Sequence, residues 1–196
     1  STQAAQDESA RTGASTATAN FPAKPITILV PYAAGGAADL MSRALAEPAG
    51  EKLGQAVVVE NRPGGSGAVA MNAVKSATPD GYTLIMTSTG PATITPVLSD
   101  TGYTPQDFVP IMQVTDIPLG LAVPNDSPLK SVQDFFKYAA ENPNKLKVGT
   151  PGATLVQHIT LQRLVDEQGI KVNLVPFNGG AESVTAMLGG NVDAIF

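Results

Sequence analysis

The chain has 196 residues, 43% of them hydrophobic, and a formal net charge of −5. That length can bury a sizeable core as one large domain or two small lobes, and the acidic balance argues against a general basic surface for nucleic acid or anionic lipid. With no cysteine and one histidine, His158, disulfides, thiolate zinc sites, cysteine nucleophiles and multi-histidine metal sites are excluded, and no apolar run approaches the ~18 residues of a membrane span.

Residues 1–20, STQAAQDESARTGASTATAN, are small and polar without periodicity. They read as a flexible leader of the kind left at the start of a processed, exported chain. Ile26 to Val30 are apolar or β-branched throughout, which is how a strand buried on both faces reads. Pro31 ends it, and Gly35-Gly36 lead into a helix expected from about Ala38 to Leu53. Leu40, Met41, Ala44 and Leu45 are expected on one apolar face of it, with a kink or break at Pro48 and a C-cap at Gly54. A buried strand running through small residues into a helix start offers unpaired N–H groups and a partial positive charge, a ready anion site. Many such turns, however, bind nothing.

Val57 to Glu60 is a second short strand, and residues 61–77 repeat the arrangement of glycine-rich loop and helix, with Val69, Ala70, Ala73 and Val74 on the apolar face. Thr78-Pro79-Asp80-Gly81 is a turn. Tyr82 to Met86 is a third strand, ending in the hydroxyl-rich loop Thr87-Ser88-Thr89-Gly90. Residues 91–107 read as irregular, Phe108 to Val114 and Leu119 to Val123 as strands. A helix starts at Ser131 with Asp134 three residues on, close to a capping box, and Phe135, Phe136, Tyr138 and Ala139 supply its core side. Leu146 to Gly149 is a strand, 150–154 a loop, and Leu155 to Gln168 a helix with Ile159, Leu161, Leu164 and Val165 apolar. Val172 to Phe177 is a strand. Asn178-Gly179-Gly180 opens a short helix, and Val192 to Phe196 starts another strand. This alternation implies parallel α/β sheets with ligands at the carboxyl ends of the strands. The restart near residue 120 suggests two lobes, 21–120 and a partial 121–196.

Catalytic readings find little support. Gly64-Gly65-Ser66-Gly67-Ala68 resembles a nucleophile elbow without its final glycine. A serine hydrolase-like enzyme using Ser66 and His158 is therefore the alternative to a binding role. There is no Walker A sequence and Gly35-Gly36 does not extend to GxGxxG, so no cofactor is expected. Asp39, in a first helical turn, reads as a capping carboxylate or as a group fixing the loop around a ligand. His158 reads as packed or capping, with a ligand role as the less frequent alternative. Arg62 is expected to hold Glu60 or face solvent rather than pair with a ligand carboxylate.

The run FPAKPITILVPYAAGGAADLMSR, then VVVENRPGGSGAVAMNAVKSATPDGYTLIMTSTG, then KVGTPGAT with His158 beyond, and LVPFNGGAESVTAMLGGNVDAIF resemble the extracytoplasmic solute receptors of tripartite tricarboxylate transporters, the Bug family. The resemblance covers Phe21 to Phe196. It implies a type II periplasmic-binding-protein fold, α/β with two lobes and parallel-type sheets. It also implies a periplasmic receptor, not an enzyme, that closes on a small organic carboxylate (a di- or tricarboxylate, an amino acid or an aromatic acid) and delivers it to a membrane permease. By that resemblance the ligand-binding residues are Tyr32, Ala34, Gly35, Gly36, Ala37 and Asp39 in the first loop and Gly64, Gly65, Ser66 and Gly67 in the second. Ser88 and Thr89 follow at the third strand end. Thr150, Gly152, Thr154 and His158 belong to the second lobe, as do Phe177, Asn178 and Gly179. Backbone N–H groups, not a buried arginine, are expected to hold the carboxylate between loops 32–39 and 64–68. Two departures stand out. The second loop reads Gly-Gly-Ser-Gly where the family more often has Gly-Ala-Gly-Gly, and the chain stops short of family length, so the second lobe is expected to be incomplete.

Overall fold

The computed structural model describes residues 21–116 and 118–196. The leader expected over residues 1–20 lies outside them. Two three-stranded sheets carry the fold. In the first, β1 (Ile26–Val30) lies between β2 (Val57–Asn61) and β3 (Thr83–Ile85), in parallel register from Ile26 opposite Val57 to Val30 opposite Asn61. In the second, β4 (Lys147–Thr150) lies between β5 (Asn173–Pro176) and β6 (Ala194–Ile195), again all parallel. A parallel sheet needs crossovers, and the helices supply them. They are α1 (Ala37–Leu53), α2 (Ala68–Ser76), the short α3 (Thr95–Leu98), α4 (Val132–Glu141), α5 (Val156–Glu167) and α6 (Gly180–Leu188). Ile26, Leu29, Val30, Ala70 and Met71 are buried in the first unit. Leu129, Phe135, Ala139, Leu146, Val148, Leu161, Val165 and Ala194 form the main cluster of the second.

The helix ends follow their local chemistry. Gly54 closes α1 in the left-handed region (φ 68°) with its N–H on the Gly50 carbonyl. Ser131 caps α4 by accepting from the Asp134 N–H while Asp134 Oδ2 accepts from the Ser131 hydroxyl and the Lys130 N–H. Pro48 does not break α1. Pro48 and Ala44 are both exposed, so the carbonyl left without a partner faces water.

Several expectations are corrected. The face of α1 turned inward is Asp39, Ser42 and Ala46, while Leu40 is 59% exposed and Leu45 37%. Spacing of three and four with small side chains brings this helix close to β1 and β2, and Asp39 sets its rotation by reaching back to the Gly35 N–H. In α2, Ala70 and Met71 are buried while Val69 is exposed. Tyr138 is exposed at the edge of the α4 core face. The strands expected over 108–114 and 119–123 do not form, because they find no partner; Ala122 alone makes an antiparallel bridge, to Ile195. Residues 91–107, expected to be irregular, hold a π-turn at Gly90–Ile94, α3, and a 3-10 turn at Pro105–Asp107.

Candidate functional site

The loops that leave the carboxyl ends of both sheets face one another. The first is held to its own sheet by the Asn61 side chain and to the helix it opens by Asp39. The Arg62 N–H donates to the Val30 carbonyl at 2.8 Å. Asn61 Nδ2, at the end of β2, donates to the Tyr32 carbonyl at 3.1 Å, and Arg43 Nη2 donates to Asn61 Oδ1 at 3.1 Å. Gly35, at φ 83°, donates its N–H to Asp39 Oδ2 at 2.8 Å. Gly36 then starts α1 without any side-chain cap, so the first-turn N–H groups are not consumed by the protein's own side chains.

Asp39 is 3% exposed. Arg43 Nη2 lies 3.0 Å from its Oδ1, off the hydrogen-bonding direction, and Oδ1 has no other partner. Burial pushes this carboxyl up, but the guanidinium and the Gly35 N–H outweigh burial and hold it below the usual carboxylate range. A depressed folded pKa contributes stability that is complete above the unfolded value and is lost as pH falls through the folded one. The difference in melting temperature between the parent and Asp39→Ala should therefore stay constant from about pH 5 to 8 and shrink in more acid solution. A difference that grows on acidification would contradict the pairing.

The second loop is a tight turn, with Gly64 (φ 125°), Gly65 (φ 56°), Ser66 (φ 50°) and Gly67 (φ 97°) in succession. Gly67 is buried, and a Cβ there would sit 2.5 Å from Pro91 Cγ. Across the first sheet, the Tyr32 hydroxyl and Ser88 Oγ are 2.6 Å apart. Burial pushes the Tyr32 phenol up to about 12, the Ser88 bond pulling the other way. Ser88 and Thr89 are exposed. Arg62 is held by Glu60, Nε to Oε1 at 2.7 Å, as expected from the sequence.

In the second unit, Thr150 is fully buried and its hydroxyl lies 2.9 Å from His158 Nδ1. Burial lowers the His158 pKa, so the ring is neutral at neutral pH. Gly152 is buried against Leu155. Phe177 packs against the Ala186, Met187 and Val192 cluster. Contacts between the two units are close. Thr154 Oγ1 lies 2.8 Å from Thr95 Oγ1, the Ala33 N–H donates to the Asn178 carbonyl at 3.3 Å, and Gly90 abuts Leu155.

Of the residues singled out from sequence, Gly35, Gly36 and Ala37 line a cavity of about 490 Å3 between the units. Its other walls are Pro118, Leu119, Gly120, Pro151, Gln157, Gly180, Ala181, Ser183, Val184, Ile195 and Phe196. Ala34 and Asn178 are exposed and Gly179 is buried, and none of the three lines it. Tyr32, Asp39, Gly64 to Gly67, Ser88, Thr89, Thr150, Gly152, Thr154, His158 and Phe177 do not line it. Gln157 and Ser183 escaped the sequence reading because they sit inside helices and reach the cavity only through tertiary placement. A larger hollow of about 640 Å3 lies between α1 and β2, away from the carboxyl ends of the strands, and its lining sets Glu47 and Glu51 against Arg43, a net negative charge that disfavours an anion. Among the described residues there is no cluster fit to hold a metal and no helix long and apolar enough to cross a membrane. No hydrogen bond joins Ser66 to His158 among them; the histidine's Nδ1 pairs instead with the Thr150 hydroxyl.

Two parallel α/β units meeting at glycine-rich strand-to-helix loops around an anion-compatible cavity define a periplasmic-binding-protein-like receptor fold. The chain belongs to the family described as "Tripartite tricarboxylate transporter family receptor", whose model matches residues 41–196. A Cupriavidus necator protein described as "UPF0065 protein in gbd 5'region" is 38% identical over 176 residues, covering 89% of this chain and 54% of that protein. An adipate-bound protein of R. palustris is 30% identical with a TM-score of 0.84, over 89% of this chain and 59% of that one. MatC of Rhodopseudomonas palustris with bound malate is also 30% identical, with a TM-score of 0.81 over 89% and 60% of the two chains. The chain thus spans about half the length of the curated relative it matches. The family model describes a receptor, and the two structural neighbours hold adipate and malate.

Proposed function

We propose that this chain is part of a periplasmic receptor that captures a small carboxylate, most simply a dicarboxylate, between lobes 21–120 and 121–196. The receptor passes its ligand to the membrane permease of a tripartite tricarboxylate transporter. The observation that carries the reading is the uncapped start of α1 at Gly35–Ala37, open to the interlobe cavity with no cationic side chain among the described residues of its lining. An anion there meets N–H groups and the positive end of a 17-residue helix. The adipate and malate bound by the two neighbours are of the size and charge this arrangement suits. Of the second loop, Gly67 lies close against Pro91 and Pro31, just behind the start of the first loop.

Magnitudes are consistent with this. A partly buried anion gains up to ~2 kcal/mol from a helix terminus, and each hydrogen bond to a charged group adds about 1.5–3 kcal/mol. A few such bonds reach roughly micromolar affinity with no ion pair. Calorimetric titration with a carboxylate panel that includes malate and adipate tests the function, and absence of binding by any member would overturn it. Arg62→Gln tests the anchoring. Because Arg62 is committed to Glu60 at the surface, the affinity for the best ligand should change by less than about threefold. A hundredfold loss would show that an ion pair dominates.

A further inference from the structure

The first and fifth strands run into loops of the same design. Val30-Pro31-Tyr32 leads to Gly35-Gly36-Ala37-Ala38-Asp39, and Val175-Pro176-Phe177 leads to Asn178-Gly179-Gly180-Ala181-Glu182. Each helix starts on a glycine with no side-chain cap, Gly36 for α1 and Gly179 for α6. In each, the acid three residues beyond that glycine reaches back to the N–H just before it. Asp39 Oδ2 accepts from the Gly35 N–H at 2.8 Å, and Glu182 Oε2 accepts from the Asn178 N–H at 3.0 Å and from its Nδ2 at 3.3 Å.

The two loops also touch. The Ala33 N–H donates to the Asn178 carbonyl, and a Cβ on Gly179 would lie 3.3 Å from the Ala33 nitrogen and from Tyr32 Cβ. Glu182 therefore fixes, through the Asn178 backbone, the acceptor that holds the first loop from the opposite unit.

We propose that Glu182 is a positioning residue of the carboxylate site, holding the second-lobe loop as Asp39 holds the first; this rests on the proposed receptor function. A group that restrains an N–H by hydrogen bonding acts through its acceptor and its reach. A group that merely favours the helix start acts through its charge. The two roles separate by substitution. Glu182→Gln keeps an acceptor at the same reach without the charge. Glu182→Asp keeps the charge one methylene short. Glu182→Ala removes both.

The experiment is malate titration of the full chain by calorimetry, with amide exchange at Ala33 and the ligand-free melting temperature measured for each variant. Glu182→Ala and Glu182→Asp should each lose about tenfold in malate affinity and expose the Ala33 amide to faster exchange, while Glu182→Gln stays within about threefold of the parent. The proposal is overturned if Glu182→Asp matches the parent, if Glu182→Gln falls as far as Glu182→Ala, or if Ala33 exchange does not move. Should the parent bind no member of the carboxylate panel, the receptor reading fails for this chain. Ala33 exchange in the ligand-free variants then decides the positioning role by itself.

Discussion

Gly67→Ala should cost about 3 kcal/mol or more and lower the melting temperature by roughly 6–12 °C. Two penalties act together. Gly67 sits at φ 97°, where an alanine pays about 1 kcal/mol or more for left-handed backbone. Its methyl would also lie 2.5 Å from Pro91 Cγ and 2.8 Å from Pro91 Cβ, with Pro31 Cβ at 3.4 Å. Both prolines are fully buried, and a pyrrolidine ring has no rotamer with which to yield. Overpacking of that kind costs typically about 1–3 kcal/mol, a large share of the ~5–15 kcal/mol that holds a domain together. Gly65→Ala supplies the comparison. Its φ of 56° brings the same backbone penalty, but its methyl meets only Ala68 Cβ, at 3.3 Å. Thermal and urea unfolding of both variants measures the difference. Equal losses would show that the Pro91 contact carries no weight.

What was legible in the sequence was local. Ile26–Val30 needed only its own composition to read as a buried strand, and Gly54 and Ser131 announced the helix ends they form. The inward face of α1 was not legible. Leu40, Met41, Ala44 and Leu45 have helical spacing, yet the carboxylate of Asp39 must reach the Gly35 N–H, and that bond rotates the leucines outward. Nor was the absence of strands at 108–114 and 119–123. Apolar alternation states a preference, while a strand requires a partner, and only Ala122 has one. Within the site, the glycine-rich loops were visible as motifs, but Asn61 was not. Its side chain matters through the Tyr32 carbonyl and Arg43, 29 and 18 residues away in sequence. Gln157 and Ser183 carry no motif at all and enter the cavity wall only when the two sheets meet.

The seam between those sheets makes Gly90 the most sensitive position for closure. It is buried at the start of the π-turn that follows β3, and a Cβ there would fall 2.3 Å from Leu155 Cδ2 and 3.2 Å from Leu155 Cα. Leu155, at the head of α5, is only 3% exposed, so its Cδ2 has little room to swing clear of the added methyl, and its Cα at 3.2 Å adds a milder crowding. Gly90 does not lie at positive φ, so the substitution leaves its own backbone unstrained. The methyl acts as a wedge between the units. It also draws apart the Thr95 and Thr154 hydroxyls, whose 2.8 Å contact crosses the same seam. Under the proposed receptor function, Gly90→Ala should therefore lower the affinity for a bound carboxylate such as malate by about ten- to a hundredfold, the equivalent of roughly 1.4–2.7 kcal/mol, with each sheet still folded. Leu155→Ala alone opens a cavity and destabilises by about 2–5 kcal/mol. In the Gly90→Ala background the same truncation gives the methyl room, so the double variant should lose about 1–2 kcal/mol less than the sum of the single losses. Unfolding and malate titration of the four proteins in that cycle measure the coupling. Additive losses, with malate bound by Gly90→Ala as by the parent, would mean that the two units do not close through this contact.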